Sequence, residues 1–390
     1  MEPLRDDDPQ TIGGYTLVCR IGAGGMGQVY LGESAAGQQV AVKVIKASML
    51  DEDSRARFLL EVDSLKTVYG PFIASFVAAD AHAEQPWLAV EFVPGPDLLT
   101  FVTEQGPLSL VETASLGALL AEGLGTVHEA GLLHRDLKPQ NVLLAPYGPK
   151  VIDFGLAVLA ERRSTLTATG VVVGSVLCMP PEQARGEHRL DRPADVYALG
   201  AVLLYAATGH YPYTGPSWQA VALRIEDPDT PPDLSDLPSE LEPLISGMLA
   251  LDPAGRPTLA QVTERLVHVI AGCGLTAAQA KRRLTDRTPT VIVPEAPAPP
   301  AATALLEGRT GYTPAMVDVA AREDDDVPQD QRPGAGPDDD RPDSPPDVAP
   351  DGPDVLTHRG TDAPRFGVRF SVPMRIAEQL RAAYARDARF

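Results

Sequence analysis

The stretch HRDLKPQN, residues 134–141, places a histidine, an arginine, an aspartate, a lysine and an asparagine around one proline. A solvated surface loop could carry these polar groups without any chemical role. A loop that aligns ATP, two metal ions and a substrate hydroxyl needs nearly the same set of side chains. The choice between the two depends on whether the remaining machinery stands elsewhere along the chain.

Length, charge and cysteine content limit the classes of protein to consider. The chain has 390 residues, a net charge of −20 and three scattered cysteines, Cys19, Cys178 and Cys273. The charge disfavours a nucleic-acid or membrane-binding protein, and the cysteines fit a reducing compartment. The N-terminus MEPLRDDDPQ is not a signal peptide, and no run of about 18 apolar residues predicts a transmembrane segment. These features predict a cytoplasmic protein.

The composition changes near the end of the helical part of the chain. Residues 318–354 carry 13 acidic residues against 3 arginines, whereas residues 358–390 carry 7 arginines against 3 acidic residues. A Pro/Asp-rich segment cannot bury enough apolar surface to offset its chain entropy. We therefore expect a folded domain over residues 12–270 and a disordered linker over 271–363. The basic segment 364–390 either forms a docking helix or remains a frayed end.

The pattern of apolar residues divides the expected domain into two lobes. Residues 15–93 contain β-rich runs separated by Gly, Gln or Asp turns, and the later part is mostly helical. The expected strands of the first lobe are YTLVCRI, GQVYLGES, QQVAVKVI, FIASFVAAD and PWLAVEFV. The expected helices include 54–68, 109–131, 194–209 and 240–253. This order predicts an α+β fold with a β-rich N-lobe (12–93), a helical C-lobe (94–270) and a cleft between them.

A glycine motif precedes the second expected strand. IGAGGMGQVY places Gly22, Gly24 and Gly27 in the pattern G-x-G-x-x-G-x-V, which lets backbone amides approach phosphate oxygens. Taken alone, the motif is equally consistent with a flexible hairpin. Strand-like sequence follows it, which disfavours a dinucleotide-binding fold, and no G-K-[ST] closes a Walker loop.

Lys43 lies in the apolar run VAVKVI. One interpretation is a lysine at a strand edge. A buried lysine is costly unless it is paired, so the alternative requires an acidic partner nearby. Glu61 on the following helix is favoured over Glu84 and Glu91.

Together with VIDFGLA at 151–157, these motifs resemble the eukaryotic-like serine/threonine protein kinases. The glycine motif, AVK, HRDLKPQN, DFG, PPE and DVYALG follow the family's order over roughly residues 12–270. MPPEQARG and RPADVYALG are most similar to the bacterial, actinobacterial branch. The resemblance implies the bilobal protein-kinase fold with a largely disordered C-terminal tail. It also implies ATP and Mg²⁺ as cofactors, with Mn²⁺ as an alternative metal.

The resemblance assigns catalytic roles to this sequence. Asp136 would orient the substrate hydroxyl and accept its proton, and Lys138 would neutralise charge on the γ-phosphate. Asn141 and Asp153 would hold Mg²⁺, and Lys43 would grip the phosphates. The implied ATP-binding residues are Ile21, Gly22, Gly24, Gly27, Val29, Ala41, Lys43, Glu61, Glu91, Val93 and Leu143.

Structural positions follow from the same resemblance. Glu182 and Arg256 would form a buried ion pair that braces the C-lobe. Asp195 would anchor a hydrophobic column, and Val90 would stand as gatekeeper before the hinge. The column would consist of Leu65, Phe76, His134 and Phe154.

Departures from the family pattern leave alternatives open. Ser175 replaces a common threonine, and Pro180 stands before the PE dipeptide. Cys178 is favoured as a small buried hydrophobe over a redox switch. A pseudokinase scaffold would lack the lysine or the key aspartates, and a small-molecule phosphotransferase would lack the segment 156–182. Both alternatives are therefore disfavoured.

Regulation and partners are further implications of the resemblance. Kinases of this type use an activation-segment phosphate to satisfy the arginine before the catalytic aspartate, here Arg135. Thr167 and Thr169 are favoured as the phosphorylation sites over Ser164 and Thr165, the alternative being an ordinary polar loop. Protein substrates with Ser or Thr hydroxyls are expected and nucleic acid is not. Phosphothreonine-binding partner domains and a homodimer for autophosphorylation stay open.

Overall fold

The computed structural model describes residues 1–24, 27–46, 52–153, 176–187 and 189–289, with the single positions 291 and 294. The chain divides into one unit, Met1–Thr310, and a second unit, Gly311–Phe390. All described residues belong to the first unit. Most of the predicted disordered linker and the whole basic segment 364–390 therefore lie outside the described residues.

The first lobe is an antiparallel sheet of seven strands. They are β1 (Glu2–Pro3), β2 (Thr11–Ile12), β3 (Tyr15–Gly24), β4 (Gly27–Glu33), β5 (Gln39–Ile45), β6 (Phe76–Asp80) and β7 (Trp87–Glu91). The order is β1-β3-β4-β5-β7-β6, and β2 also pairs with β3. Strands β3, β4, β5 and β7 coincide with β-rich runs of the sequence.

One predicted strand is shorter than expected. The run FIASFVAAD begins at Phe72, but β6 starts only at Phe76. The backbone of Phe72 and Ala74 instead forms hydrogen bonds with Val151 of the second lobe. This part of the run therefore joins the lobes rather than extending the sheet.

The two faces of the sheet bury different groups. Val40 and Val42 on β5 are fully buried with Tyr30 and Trp87 on the outer face. Because side chains alternate along a strand, Lys43 lies on the opposite, inner face.

Helix α1 (Glu52–Leu65) covers part of the inner face. Its residues Phe58, Val62 and Leu65 are buried together with Ile45 and Leu88 of the sheet. The apolar stripe predicted for this helix is thus confirmed.

In the described part of the second lobe, the regular secondary structure is helical apart from one hairpin. Its helices are α2 (Leu98–Gln105), α3 (Leu110–Glu129), α4 (Pro181–Ala184), α5 (Pro193–Thr208), α6 (Trp218–Glu226), α7 (Glu242–Met248), α8 (Leu259–Gly272) and α9 (Ala277–Asp286). The hairpin consists of β8 (Val142–Ala145) and β9 (Gly148–Val151). Helices α3 and α5 form the centre of the core. The expected α+β architecture with two lobes is confirmed.

Helix α3 is, among the described residues, the one helix long and apolar enough to cross a membrane. However, 72% of that apolar stretch is buried inside the fold. Leu116, Leu120 and Leu124 are fully buried in the core of the second lobe. A central helix packed on all sides requires such an apolar surface, so packing accounts for its composition.

Ordered structure continues beyond residue 270, so the disorder expected for the linker does not hold for residues 271–289. Helix α9 lies inside the expected linker 271–363, yet Ala280 is fully buried and Leu284 nearly so. These two residues share one face of α9, which packs against α3. The average composition of the whole linker predicts disorder, although this short stretch within it forms an amphipathic helix.

Arg287, just after the end of α9, fixes this helix to the second lobe. Arg287 donates to the Glu112 carboxylate at 3.0 Å and to the carbonyl of Gln105 at 3.2 Å. Its guanidinium also stacks 5.1 Å from the centroid of the Phe101 ring. Arg287 thereby joins the end of α9 to the turn between α2 and α3.

Candidate active site

The HRDLKPQN loop runs from the end of α3 to β8, and a buried carboxylate holds its backbone. Asp195, on the first turn of α5, accepts hydrogen bonds from the backbone N–H groups of His134 and Arg135, both at 2.9 Å. The Nε2 atom of His128 lies 2.6 Å from the same carboxylate. Burial opposes ionisation of Asp195, but the hydrogen bond from His128 and the nearby imidazoles hold the carboxyl pKa below its ordinary value.

This anchoring supports an uncommon backbone conformation. Arg135 has a φ of 65°, in the left-handed region that non-glycine residues rarely adopt. Such a conformation costs on the order of 1–3 kcal/mol and persists only where surrounding contacts enforce it. The bond from its N–H to Asp195 supplies one contact, and Gln183 donates to its carbonyl at 3.2 Å.

Asp136, Lys138 and Asn141 are brought together within this loop. The Nζ atom of Lys138 lies 2.6 Å from the Asp136 carboxylate, whose side chain is 32% exposed. The Asn141 amide donates to the Asp136 carbonyl at 2.8 Å. The side chain of the predicted base is thus partly exposed to solvent, while the Asn141 amide holds the backbone of the same residue.

Lys43 joins the sheet to the second lobe. Its Nζ atom lies 2.7 Å from the carboxylate of Asp153, which has a left-handed φ of 60°. The carbonyl of Asn141 accepts a hydrogen bond from Ile152, the residue before Asp153, at 3.0 Å. The expected partner of Lys43, Glu61, has a side chain that lies outside the described residues, so that prediction stays untested.

The strand register places the predicted adenine and phosphate contacts on one face. Val29 pairs with Lys43 across β4 and β5, and Ala41 pairs with Val90 across β5 and β7. Cross-strand partners point to the same side of a sheet, and Ala41 and Lys43 are two residues apart. These four side chains therefore line the inner face.

The predicted hinge meets the second lobe through a small apolar cluster. Val93 is buried together with Ala74 and Ala145, and Leu143 packs against this group. The structure thus brings together Val93, which the resemblance assigns to the hinge, and Leu143, which it assigns to the residues that sandwich the adenine ring.

The glycine motif begins inside the sheet. Gly22 pairs with Val29, and Gly24 pairs with Gly27, so β3 and β4 form a hairpin. A Cβ atom on Gly27 would collide with the carbonyl oxygen of Val44 on β5. Glycine is therefore required at this position for sheet packing, in addition to any role toward phosphate.

The predicted ion pair of the second lobe is present. Arg256 donates to both carboxylate oxygens of Glu182, at 2.7 and 2.8 Å, and both residues are buried. Its guanidinium also lies 5.0 Å from the centroid of the Tyr197 ring. This bidentate pair fixes the short helix α4 to the lobe.

Cys178 is buried at the edge of the same core. Burial raises the pKa of its thiol far above the ordinary range, and Asp136 acts in the same direction. A thiol that resists ionisation is a poor nucleophile and a poor redox sensor. The structure agrees with the interpretation of Cys178 as a small apolar side chain.

Several predicted site residues lie outside the described part of the chain. They are Phe154, Ser164, Thr165, Thr167, Thr169 and Ser175.

The residues present fit a magnesium ion. The described residues contain no group of three His, Cys, Asp or Glu side chains placed to hold a metal. Mg²⁺ requires less, because it keeps several waters and binds one or two carboxylates together with substrate phosphates. Asp153 supplies a carboxylate 37% exposed to solvent, and the Asn141 hydrogen bond uses its Nδ2 atom and not its oxygen.

Sequence reasoning missed an ion pair behind the hinge. Lys150 on β9 lies 2.7 Å from the carboxylate of Glu91 at the end of β7. The same carboxylate accepts a hydrogen bond from the backbone of Ser75 at 3.2 Å. Glu91 is therefore engaged with Lys150 and not with Lys43. No local pattern predicts a contact between residues 59 positions apart.

Comparisons with known proteins agree with this geometry. A family model for the protein kinase domain matches residues 15–267. The probable serine/threonine-protein kinase PkwA of Thermomonospora curvata is 43% identical over 267 residues, 68% of this chain and 35% of that protein. The serine/threonine-protein kinase AfsK of Streptomyces coelicolor is 39% identical over 318 residues, 81% of this chain and 38% of that protein.

A solved structure shows the same fold. The crystal structure of Rad53 1–466 in complex with AMP-PNP aligns with a TM-score of 0.53 and 24% identity. The alignment covers 65% of this chain and 64% of that one. The chain spans only 35% and 38% of the length of the two bacterial relatives, so their similarity concerns part of each protein.

Proposed function

Because this chain belongs to the protein kinase family, we propose that it is a serine/threonine protein kinase that phosphorylates protein hydroxyls with ATP. One observation carries the proposal: a continuous series of contacts that crosses the cleft. Lys138 contacts Asp136, whose carbonyl accepts from Asn141. The Asn141 carbonyl accepts from the residue before Asp153, and Asp153 pairs with Lys43 of the sheet.

Asp136 acts as the base in this proposal. A substrate hydroxyl attacks the γ-phosphorus, its proton passes to the Asp136 carboxylate, and the bond from phosphorus to the β-γ bridging oxygen breaks to release ADP. Lys138 stands beside this carboxylate and offsets the charge on the transferred group. Asn141 and Asp153 would hold Mg²⁺, which when bound neutralises the phosphate oxygens.

The nucleotide lies under the glycine hairpin in this proposal. Adenine fits between the inner face of the sheet and Leu143, with backbone contacts at Glu91 and Val93. Lys43 grips the phosphates, with Glu61 as its further partner. The remaining contacts come from Ile21, Gly22, Gly24, Gly27, Val29 and Ala41.

Regulation and cellular setting belong to the same proposal. Phosphorylation of Thr167 or Thr169 would add about −1.5 to −2 charges and order the activation segment through Arg135. Autophosphorylation suits a transient homodimer, and the phosphothreonine produced suits a partner domain that binds it. We place the protein in the cytoplasm, with Ser- or Thr-containing proteins as substrates. Mn²⁺ serves as the alternative metal.

The test is phosphate transfer by variants of the base and of the phosphate grip. Wild type, Asp136→Ala and Lys43→Met are incubated with Mg²⁺ and γ-labelled ATP, and the phosphosites are mapped. Asp136→Ala should lose about 10²–10⁴-fold in turnover and keep nucleotide binding, whereas Lys43→Met should weaken both. Asp286→Ala, an exposed aspartate of α9, is the matched control. Near-wild-type turnover of Asp136→Ala would contradict the proposal.

A further inference from the structure

Two short strands within the first twelve residues, β1 and β2, join the sheet, although the matched kinase domain begins at residue 15. Strand β1 pairs with β3 at Cys19 and Arg20, and β2 pairs with it at Tyr15 and Thr16. Gly13 and Gly14, with φ values of 58° and 85°, form the two-residue turn between β2 and β3. The segment between β1 and β2 is thereby held against β3.

Asp8, in that segment, is a buried carboxylate with four hydrogen-bond donors. Its side chain is 3% exposed. It accepts from Nε and Nη2 of Arg20 and from the Tyr30 hydroxyl, each at 2.6 Å, and from the Arg5 backbone at 2.8 Å. Because all of these donors converge on one group, Asp8 joins three separate parts of the chain.

The side chains that Asp8 binds lie where the glycine hairpin, formed by the ends of β3 and β4 that carry Gly22, Gly24 and Gly27, begins. Arg20 on β3 and Tyr30 on β4 are direct partners across the two strands. The next pair is Gly22 with Val29, so Ile21 is an extra residue between the two pairs. This bulge bends the strand where the proposed nucleotide-covering turn begins, as bulges beside active sites do.

The Asp8 cluster lies behind the proposed site rather than inside it. Tyr30 is buried on the outer face of the sheet, opposite the face that carries Lys43. Asp8 therefore acts on the hairpin through the strands and touches neither ATP nor the reacting atoms.

We propose that Asp8 is a positioning residue for nucleotide binding, which holds β3 and β4 in the register that places the glycine turn over the phosphates. The inference rests on the proposed function, because it takes ATP to lie beneath the hairpin. Loss of the carboxylate leaves Arg20 without its bidentate acceptor and frees the base of the hairpin. The binding of ATP should weaken, whereas the HRDLKPQN loop in the other lobe should keep its geometry.

The test separates nucleotide binding from turnover in the full chain. Asp8→Asn and Asp8→Ala should raise the KM for ATP and the Kd for AMP-PNP about five- to tenfold, with kcat within about twofold of wild type. Tyr30→Phe removes one of the four hydrogen-bond donors to Asp8. It should raise the KM for ATP and the Kd for AMP-PNP about twofold. Hydrogen exchange should accelerate in residues 15–33 and not in the HRDLKPQN loop.

Asp7 provides a matched control. It is the neighbouring aspartate, it lies 3.8 Å from the same Arg20 guanidinium, and its side chain is 86% exposed. Asp7→Asn should therefore leave the KM for ATP unchanged.

The outcomes distinguish the inference from the proposed function. Lower thermal stability with unchanged KM and Kd in Asp8→Asn and Tyr30→Phe would overturn the inference alone and make Asp8 a stability residue. If Asp8→Ala does not fold, these two milder variants carry the test. A wild-type protein that bound no nucleotide would overturn the proposed function and this inference with it.

Discussion

Asp195 and Asp8 are buried carboxylates that hold the two sides of the proposed site in different ways. Asp195 lies within the matched kinase domain and accepts hydrogen bonds from the backbone of His134 and Arg135. Asp8 lies before that domain and accepts mainly from the side chains of Arg20 and Tyr30.

The type of donor determines what each aspartate can fix. A bond to a backbone N–H constrains the main chain directly, which suits the left-handed conformation of Arg135. A bond to a long side chain constrains the strand that carries it. Asp195 therefore fixes the backbone of the HRDLKPQN loop itself, whereas Asp8 fixes strands β3 and β4 through the side chains of Arg20 and Tyr30.

Breaking the Glu182–Arg256 ion pair should show the largest effect, because it is a buried carboxylate–arginine pair like that of Asp8 and Arg20 and lies in the same lobe as Asp195. Arg256→Met leaves a buried carboxylate unpaired and should lower the unfolding free energy by about 3–5 kcal/mol. Glu182→Gln should cost less, since Arg256 keeps the carbonyls of Ala250, Pro193 and Leu251 as acceptors. Denaturant unfolding measures both, and equal losses would contradict this account.

Asp195→Asn should mainly impair turnover. An amide offers one acceptor oxygen, so at least one of the two backbone N–H groups faces a donor and the loop shifts. Misplacement by about 1 Å can cost about 10²-fold, so kcat should fall by that factor while the Kd for AMP-PNP stays within about threefold. Steady-state kinetics measure kcat, and nucleotide titration measures the Kd for AMP-PNP. A rise in Kd without a fall in kcat would reverse the roles assigned to the two aspartates.

The contacts around Asp195, which include His134, and those around Asp8, which include Arg20 and Tyr30, should also differ in how their contribution to stability changes between pH 7 and 5. Burial lowers the pKa of His134, whereas unfolded histidine has a pKa near 6.5. The unfolded state then binds more protons than the folded state. The free energy of unfolding therefore falls as the pH drops below about 6.5, and His134 contributes at most about 1.4 kcal/mol per pH unit to this fall. In the other cluster Arg20 stays charged and burial raises the pKa of Tyr30 to about 12, so neither titrates.

Denaturant unfolding at pH 5, 6 and 7 tests this difference. His134→Phe should flatten the pH dependence of the unfolding free energy. Asp8→Asn should stay below wild type by a constant amount across this range. The same slope in wild type and His134→Phe would show that the imidazole is not the source.

The ion pair behind the hinge should have the smallest effect. The Glu91 side chain is 36% exposed, and partly exposed pairs contribute roughly 0.2–1 kcal/mol. Lys150→Met should therefore raise the KM for ATP by less than about threefold. Lys66→Met, which breaks the exposed pair with Asp63, is the control and should change nothing. A tenfold change would mean that the hinge, and not the hairpin, sets nucleotide affinity.

The sequence predicts those parts of the molecule that depend on local pattern or on motif order. The stripe of Phe58, Val62 and Leu65 follows from helical periodicity. The contact between Glu182 and Arg256 follows from the family resemblance, since 74 residues separate them.

Contacts outside the motifs could not be predicted in this way. Asp8 lies 12 residues from Arg20 and 22 from Tyr30, and its acidic neighbours make it look like one of a solvated group. Its burial becomes evident only once β1 and β2 are paired with β3.

Helix α9 was missed for a different reason. The capping box of Thr276 and Gln279 and the spacing of Ala280 and Leu284 were present in the sequence. The average composition of the expected linker outweighed this local signal.

The position of α9 also bears on how the protein is handled as a recombinant fragment. A chain cut at residue 270 would uncover the apolar surface of α3 that Ala280 and Leu284 cover. It would also leave the Glu112 carboxylate without the guanidinium of Arg287. Such a fragment would expose this apolar surface to solvent and tend to aggregate, whereas a fragment that retains residues up to 289 keeps the surface buried. Light scattering of the two fragments during expression trials would show the difference.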